Sequence, residues 1–177
     1  MQPQYTVEPK SREELRYLAV LLRRKLGMED VIYFPVVEVL DIMCDLRPNF
    51  SYEIVEDSEF PENVHADTDI VHETIRIRES VYNGACDENG RDRMTIAHEI
   101  CHYFTLVEYG FKLQRRFGNT TIKAYEDPEW QAKCMAGELM IPKELTQGMN
   151  SLEIMIKCGV SNSAANYQYV IYRRESM

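Results

Sequence analysis

Histidine is scarce in this chain and cysteine is unpatterned: 177 residues hold 4 His and 5 Cys. Cys44, Cys86, Cys101, Cys134 and Cys158 are odd in number and contain no Cys-x-x-Cys pair. That excludes a cysteine-rich zinc site and a disulfide framework, and points to free thiols in a reducing compartment. Long apolar runs are missing too. Leu18 to Leu22 is followed at once by Arg23-Arg24-Lys25, so no membrane span is expected. The start, Met1-Gln2-Pro3-Gln4-Tyr5, lacks the basic and apolar segments of a secretory leader, and a cytoplasmic location is the expectation. Positive charge is in deficit, with 20 Lys+Arg against 29 Asp+Glu and a net charge of −9. Such a chain repels phosphate backbones, so direct nucleic-acid binding is not expected and a basic protein segment is the more comfortable partner. There is no internal repeat, low-complexity tract or clear linker. The length suits one domain over residues 1–177, with a short helical tail from about residue 143.

Two of the few histidines stand in Thr95-Ile96-Ala97-His98-Glu99-Ile100-Cys101-His102. On a helix, residues four apart share a face, so both imidazoles can point at one object. Glu99, beside the first histidine, can reach a water held on that object. This is the spacing of zinc-dependent hydrolases, in which two histidines hold the metal and the glutamate takes a proton from the water. The bland alternative is a surface helix with two solvated histidines. Met94, Ala97, Ile100, Cys101 and Phe104 argue against it, because they recur at helical spacing, and no Gly or Pro interrupts Asp92 to Tyr109. Idle polar groups are costly on a partly buried helix.

The rest of the chain alternates helical and strand periods. Ser11 with Glu14 forms a capping-box pattern ahead of Leu15, Leu18, Ala19, Leu22 and Leu26, and Gly27 is a stop. Pro35 opens a second helix through Val36, Val37, Leu40 and Met43, closed by Pro48. Tyr52 and Ile54 alternate with polar residues, as do Ile75 and Ile77, and read as strands. Between them, acidic Asp57 to Asp69 suggests turns with one short strand near Val64 to Thr68. Asn89-Gly90 closes a loop before the histidine helix, and Gly110 to Thr121 reads as a loop after it. Asp127-Pro128 is a helix start that Pro142 terminates. Three helical stretches are expected to follow, at about Lys143–Met149, Ser151–Cys158 and Ser161–Arg174.

A catalytic zinc needs a third protein ligand and an open position. A third histidine has to be His65 or His72, both upstream in the strand region. Glu129, in the first turn of the helix after the loop, is the better placed candidate, with Glu126 and Asp127 as close competitors. An acidic residue at a helix N-terminus is also common with no ligand role, so spacing leaves the choice open.

Arg93-Met94-Thr95-Ile96-Ala97-His98-Glu99-Ile100-Cys101-His102, then Glu129-x-x-Ala132, then Ala136-Gly137-Glu138-Leu139-Met140-Ile141-Pro142, resembles the ImmA/IrrE family of metallopeptidases. Cys158-Gly159-Val160-Ser161 with Ala164 and Ala165 is similar to the family's C-terminal tail. The strongest similarity covers Ile75 to Pro142. The resemblance implies zinc ligation by His98, His102 and Glu129, and a base role for Glu99. It implies an α+β, zincin-like fold: a mostly helical domain with a small sheet beside the active-site helix. It also implies a protein substrate, favouring a helix-turn-helix repressor of the kind encoded beside family members on mobile elements. Cys101 departs from the family's glycine before the second histidine, Met135 from its phenylalanine, and Lys133 from a position often Asn or Asp.

Other residues carry weaker claims. Cys101 reads as a buried structural thiol more readily than as a metal or redox group. Tyr103 and Tyr109 are candidates for oxyanion stabilisation, with packing as the commoner role. Trp130 is expected in the core, and Arg173-Arg174 as a solvated end. Ala164, Tyr167, Val170 and Ile171 suggest an apolar stripe on a packing helix, which disfavours a DNA-recognition tail. The leading reading is a zinc endopeptidase that cuts a cytosolic regulator. The alternative is a metal-binding regulator that controls a repressor by contact.

Overall fold

Ser11 begins the first helix as its sequence suggests. Its hydroxyl accepts from the Glu14 amide while the Glu14 carboxylate accepts from the Ser11 amide at 2.7 Å. In the computed structural model, which describes residues 4–116 and 121–176, the element order is β1 (Gln4–Thr6), α1 (Arg12–Lys25), α2 (Val36–Leu46), β2 (Ser51–Val55), β3 (Ala66–Asp69), β4 (Thr74–Arg78), α3 (Glu79–Cys86), α4 (Gly90–Tyr103), β5 (Gln114–Arg116), α5 (Pro128–Met140), α6 (Ser151–Cys158) and α7 (Asn162–Glu175). The fold is α+β and zincin-like, mostly helical with a small sheet beside α4. No described helix is long and apolar enough to cross a membrane.

The sheet order is β2-β4-β3, with β2 parallel and β3 antiparallel to β4. Ile75 and Ile77 of the central strand are fully buried, and alternation turns Arg76 outward to pair with Asp67. Among the described residues β3 pairs on one side only, and it lies next to α4. A separate two-stranded ribbon joins β1 to β5.

α5 is the central helix. It buries Gln131, Ala132, Cys134, Met135, Ala136, Glu138, Leu139 and Met140, so it is covered nearly all round, by α1 on one side and α4 on the other. Its one buried carboxylate, Glu138, is matched by Arg16 at 2.8 Å and by Arg12 at 3.4 Å from α1, and by the Tyr172 hydroxyl at 2.8 Å from α7. Arg93 plays a comparable part for α4. Its guanidinium stacks 3.7 Å from the Tyr33 ring centre and donates to Phe34 O at 2.8 Å and Gly159 O at 2.9 Å. It thus ties the start of α4 to the turn between α6 and α7.

Several elements differ from the sequence expectation. The third strand begins at Ala66, two residues after Val64, and runs to Asp69. α3 was not foreseen: it is short, contains Gly84, and buries only Val81 and Ala85. The histidine helix does not run as regular α-helix to Tyr109. After Tyr103 it widens into a π-helical segment over Phe104–Glu108. Lys143–Met149 is not a helix but a series of turns, in which the Thr146 hydroxyl bonds back to Pro142 O at 2.9 Å and Gly148 adopts φ +81°. The span Gly110 to Thr121 contains β5, and its residues 117–120 lie outside the described residues.

The expected stripe on α7 is displaced around the helix. Ala165, Gln168 and Tyr172 are buried, whereas Tyr167 and Val170 are exposed. The Tyr172 hydroxyl is drawn into the Glu138 network. Gly137 lets α7 approach so closely that a Cβ there would meet Gln168 Oε1 at 3.1 Å. Trp130 is half-buried against the core, and all five cysteines are free.

Candidate metal centre

α4 starts where Asn89 caps it, its side chain accepting from the Arg91 and Asp92 amides. Two turns further on it turns Ile96, Ala97, Ile100 and Cys101 into the core. That leaves His98 and His102 together at the helix rim, their ring centres 4.5 Å apart. The partner from α5 is fixed by an equally local device. Asp127 is the N-cap, accepting from the Glu129 amide at 3.0 Å, and Pro128 occupies the first position. The buried Gln131 donates to Tyr125 O at 2.7 Å and Glu8 O at 2.8 Å, so the turn leading into α5 is held to the N-terminal segment.

These two starts bring His98, His102 and Glu129 to one place. The two Nε2 atoms are 3.0 Å apart. Glu129 Oε2 is 3.2 Å from His98 Nε2, and Oε1 is 3.2 Å from His102 Nε2. A tetrahedral ion with bonds of about 2.0–2.1 Å has ligand edges of about 3.3 Å, so the three edges observed here fit one face of zinc's coordination sphere. Two neutral imidazoles and a carboxylate are also a donor set that zinc favours. Among the described residues no other cluster of His, Cys, Asp and Glu converges in this way.

The electrostatics of the three groups are coupled. Hydrogen bonds from His102 and His98 hold the Glu129 carboxyl well below the usual range. Burial pulls the His102 imidazole down. The bond to Glu129 and the charges of Glu99, Glu129 and Asp127 outweigh this, so its pKa lies above the ordinary value.

Glu99 is buried, only 7 % exposed, and close enough for its charge to act on the His102 imidazole. Thr68 of β3 donates to its Oε2 at 2.8 Å, and Thr68 Oγ1 lies 3.2 Å from the Glu99 carbonyl oxygen. Thr68 and Gln131 were not singled out from the sequence. Both act on elements distant along the chain, and neither belongs to a spacing that marks chemistry.

The other candidates fall outside the cluster. His72 is exposed and bonded to Asp69 at 2.7 Å, and His65 lies 3.4 Å from Arg91 Nη2. Asp127 is spent on capping, and Glu126 is not part of the converging group. Tyr103 is buried against Phe50 and donates to Glu73 at 3.0 Å, so its phenol is already committed. Tyr109 lines a groove against the start of α1 with Phe111, away from the histidines. Cys101 is wholly buried, and that burial pushes its thiol far above the usual range, the state of an inert structural cysteine.

The site opens to solvent on the Glu129 side and is covered over His102. Its side chains are 23 %, 10 % and 70 % exposed for His98, His102 and Glu129. Grooves also lie around the start of α1 and between α1 and α7.

Residues 61–168 match the family model described as Peptidase_M78, the IrrE N-terminal-like domain. That span contains β3, β4, all of α4 and α5, and the three converging groups. No curated protein and no solved structure matches the chain.

Proposed function

The chain belongs to the Peptidase_M78, IrrE N-terminal-like, family, and on that premise we propose that it is a zinc-dependent endopeptidase that cleaves a cytoplasmic regulatory protein, with a helix-turn-helix repressor as the favoured substrate. The observation that carries this reading is the convergence of His98, His102 and Glu129, with the buried Glu99 carboxylate beside them.

His98, His102 and Glu129 would hold the ion. Zinc in such a site supplies Lewis acidity, lowering the pKa of a water to about 7 and polarising the scissile carbonyl. Glu99 takes the proton of the attacking water. The water oxygen bonds to the carbonyl carbon, the carbon–nitrogen bond breaks, and Glu99 passes the proton to the departing amine nitrogen. Burial keeps Glu99 away from bulk water, and Glu129 balances the positive charge of the ion.

The unpaired edge of β3 beside α4, among the described residues, supports an extended polypeptide substrate. A small ligand is normally enclosed in a cavity, whereas an extended polypeptide needs a free edge. The acidic balance of the chain, −9 overall, favours a basic partner, as DNA-binding repressors are.

The test is incubation of the zinc-loaded protein with the repressor encoded beside it, with and without a chelator, followed by mass spectrometry. Chelator-sensitive cleavage at a defined bond is expected. Loss of repressor function without any new peptide would refute the peptidase reading and replace it with control by contact.

A further inference from the structure

Thr68 stands on β3, 31 residues before the base on α4, yet its hydroxyl is the one hydrogen-bond donor that the structure gives the Glu99 carboxylate among the described residues. We propose that Thr68 is the positioning residue of the base: its hydroxyl fixes one carboxylate oxygen of Glu99, so that the other is presented to the water. This rests on the peptidase reading of the site.

The geometry is built from the strand upward. In β3 Thr68 pairs directly with Ile75 of β4, and Ala66 with Ile77. Directly opposed residues share a face of a sheet. Ile75 and Ile77 are fully buried, so Thr68 faces the helical layer, while Asp67 faces away with Arg76. The hydroxyl has one proton and two acceptors in reach. Oε2 at 2.8 Å is both nearer and charged, so it takes the proton in preference to the carbonyl at 3.2 Å.

A glutamate side chain has three free torsions, and a base must meet its proton within a few tenths of an ångström. Holding Oε2 removes most of that freedom and leaves Oε1 with a fixed direction. The hairpin that carries Thr68 is itself anchored. One helical turn beyond Glu99, Tyr103 donates to Glu73 at 3.0 Å, and Glu73 sits at φ +52° in the turn between β3 and β4. Two ties one turn apart keep the strand in register with the base.

A role in packing and a role in positioning make opposite demands at residue 68. Valine keeps the shape and strand preference of threonine but lacks the hydroxyl, whereas serine keeps the hydroxyl and loses the methyl. The probe is acetohydroxamate, which binds zinc through two oxygens and shares its hydroxyl proton with a neighbouring carboxylate, so it reports base placement without turnover. Its affinity for the zinc-loaded full chain is measured by calorimetry, with zinc content and melting temperature taken on the same samples. Thr68→Val is expected to weaken binding by about tenfold, the scale of one hydrogen bond to a charged group. Thr68→Ser is expected to stay within about twofold of the wild type on the same scale. In the Glu99→Gln background, Thr68→Val should add nothing further, because the two residues act as one unit. Should Thr68→Val not fold, Thr68→Ala supplies the same loss of hydroxyl. Equal affinity for Thr68→Val and wild type, equal loss in Thr68→Ser and Thr68→Val, or a loss that persists without Glu99 would each overturn the inference. A wild type that takes up neither zinc nor acetohydroxamate would instead sink the peptidase reading, and this inference with it.

Discussion

Glu129 Oε1 lies 3.2 Å from His102 Nε2, a contact that should make metal uptake at this site depend on pH. The folded protein holds His102 above its usual pKa and Glu129 below its own. The His102 contribution to stability of the metal-free protein is complete below the unfolded value of about 6.5 and is lost as pH rises through the raised folded value. The Glu129 contribution is present above an unfolded value of about 4.3 and is lost as pH falls through the depressed one. Zinc requires the neutral imidazole, so binding at this site near neutral pH would expel the His102 proton. Calorimetry in buffers of differing ionisation enthalpy should show proton release at about pH 6.5, shrinking as pH rises well past that value. Proton uptake, or release that ignores pH, would contradict the assignment.

Glu99→Gln should keep the zinc and the fold while abolishing cleavage, because an amide cannot accept the water's proton. The expected loss in turnover is at least about a hundredfold, the lower range of general acid–base catalysis. Metal analysis and thermal melting of the variant check the first half, and peptide mass spectrometry the second. Cleavage at the wild-type rate would remove Glu99 from the mechanism.

Glu129→Ala removes the carboxylate from the converging group, while Asp127→Ala removes only the cap of α5. Zinc affinity should fall by more than about a hundredfold in the first, beyond what loss of a supporting partner costs. The second should lose about 1 kcal/mol of stability and keep most of its zinc affinity. Competition with a chromophoric chelator separates the two. A larger loss of affinity in Asp127→Ala would exchange their roles.

The parts legible in the sequence are those set by short-range chemistry. The four-residue spacing of His98 and His102 follows from one helical turn, and the Ser11–Glu14 and Asp127–Pro128 starts follow from orphan amides at helix ends. Glu129 was narrowed down by its place in such a start and singled out by family resemblance, and the structure brings it to the two histidines. What escaped depends on contacts between distant elements. Thr68 is visible as a hydrogen-bond partner of Glu99 only once β3 is laid beside α4. The buried face of α7 was misread because a polar residue, Gln168, and the tip of Tyr172 lie inside, where Gly137 and Glu138 of α5 receive them. Lys143–Met149 looked helical by composition, but Gly148 at φ +81° and the Thr146 back-bond favour turns.

Glu138 should be a costly side chain to remove. Its carboxylate is fully buried and accepts from Arg16 at 2.8 and 3.1 Å and from Tyr172 at 2.8 Å. Glu138→Ala takes the buried counter-charge from Arg12 and leaves Arg16 with Glu175 alone at 2.9 Å, and is expected to cost about 3–5 kcal/mol in urea unfolding. Tyr172→Phe keeps the ring and loses one donor, which should cost about 1–3 kcal/mol. A cost for Glu138→Ala below that of Tyr172→Phe would show that the network is not what joins α1, α5 and α7.

Gly90 and Gly137 are both helical glycines in close contacts, yet substitution should separate them. A Cβ on Gly90 would lie 2.4 Å from Val160 C and 2.5 Å from Ser161 N. Those are backbone atoms of the turn that Arg93 also grips through Gly159 O at 2.9 Å, so nothing nearby can yield. Gly90→Ala must push α4 from the α6–α7 turn, at a cost of about 1–3 kcal/mol. A Cβ on Gly137 would meet Gln168 Oε1 at 3.1 Å, the far end of a flexible side chain. There the gain of about 1 kcal/mol from replacing glycine by alanine in a helix offsets much of the crowding. Thermal denaturation should therefore rank Gly90→Ala well below Gly137→Ala, and the reverse order would mean that the α6–α7 turn is not held against the start of α4.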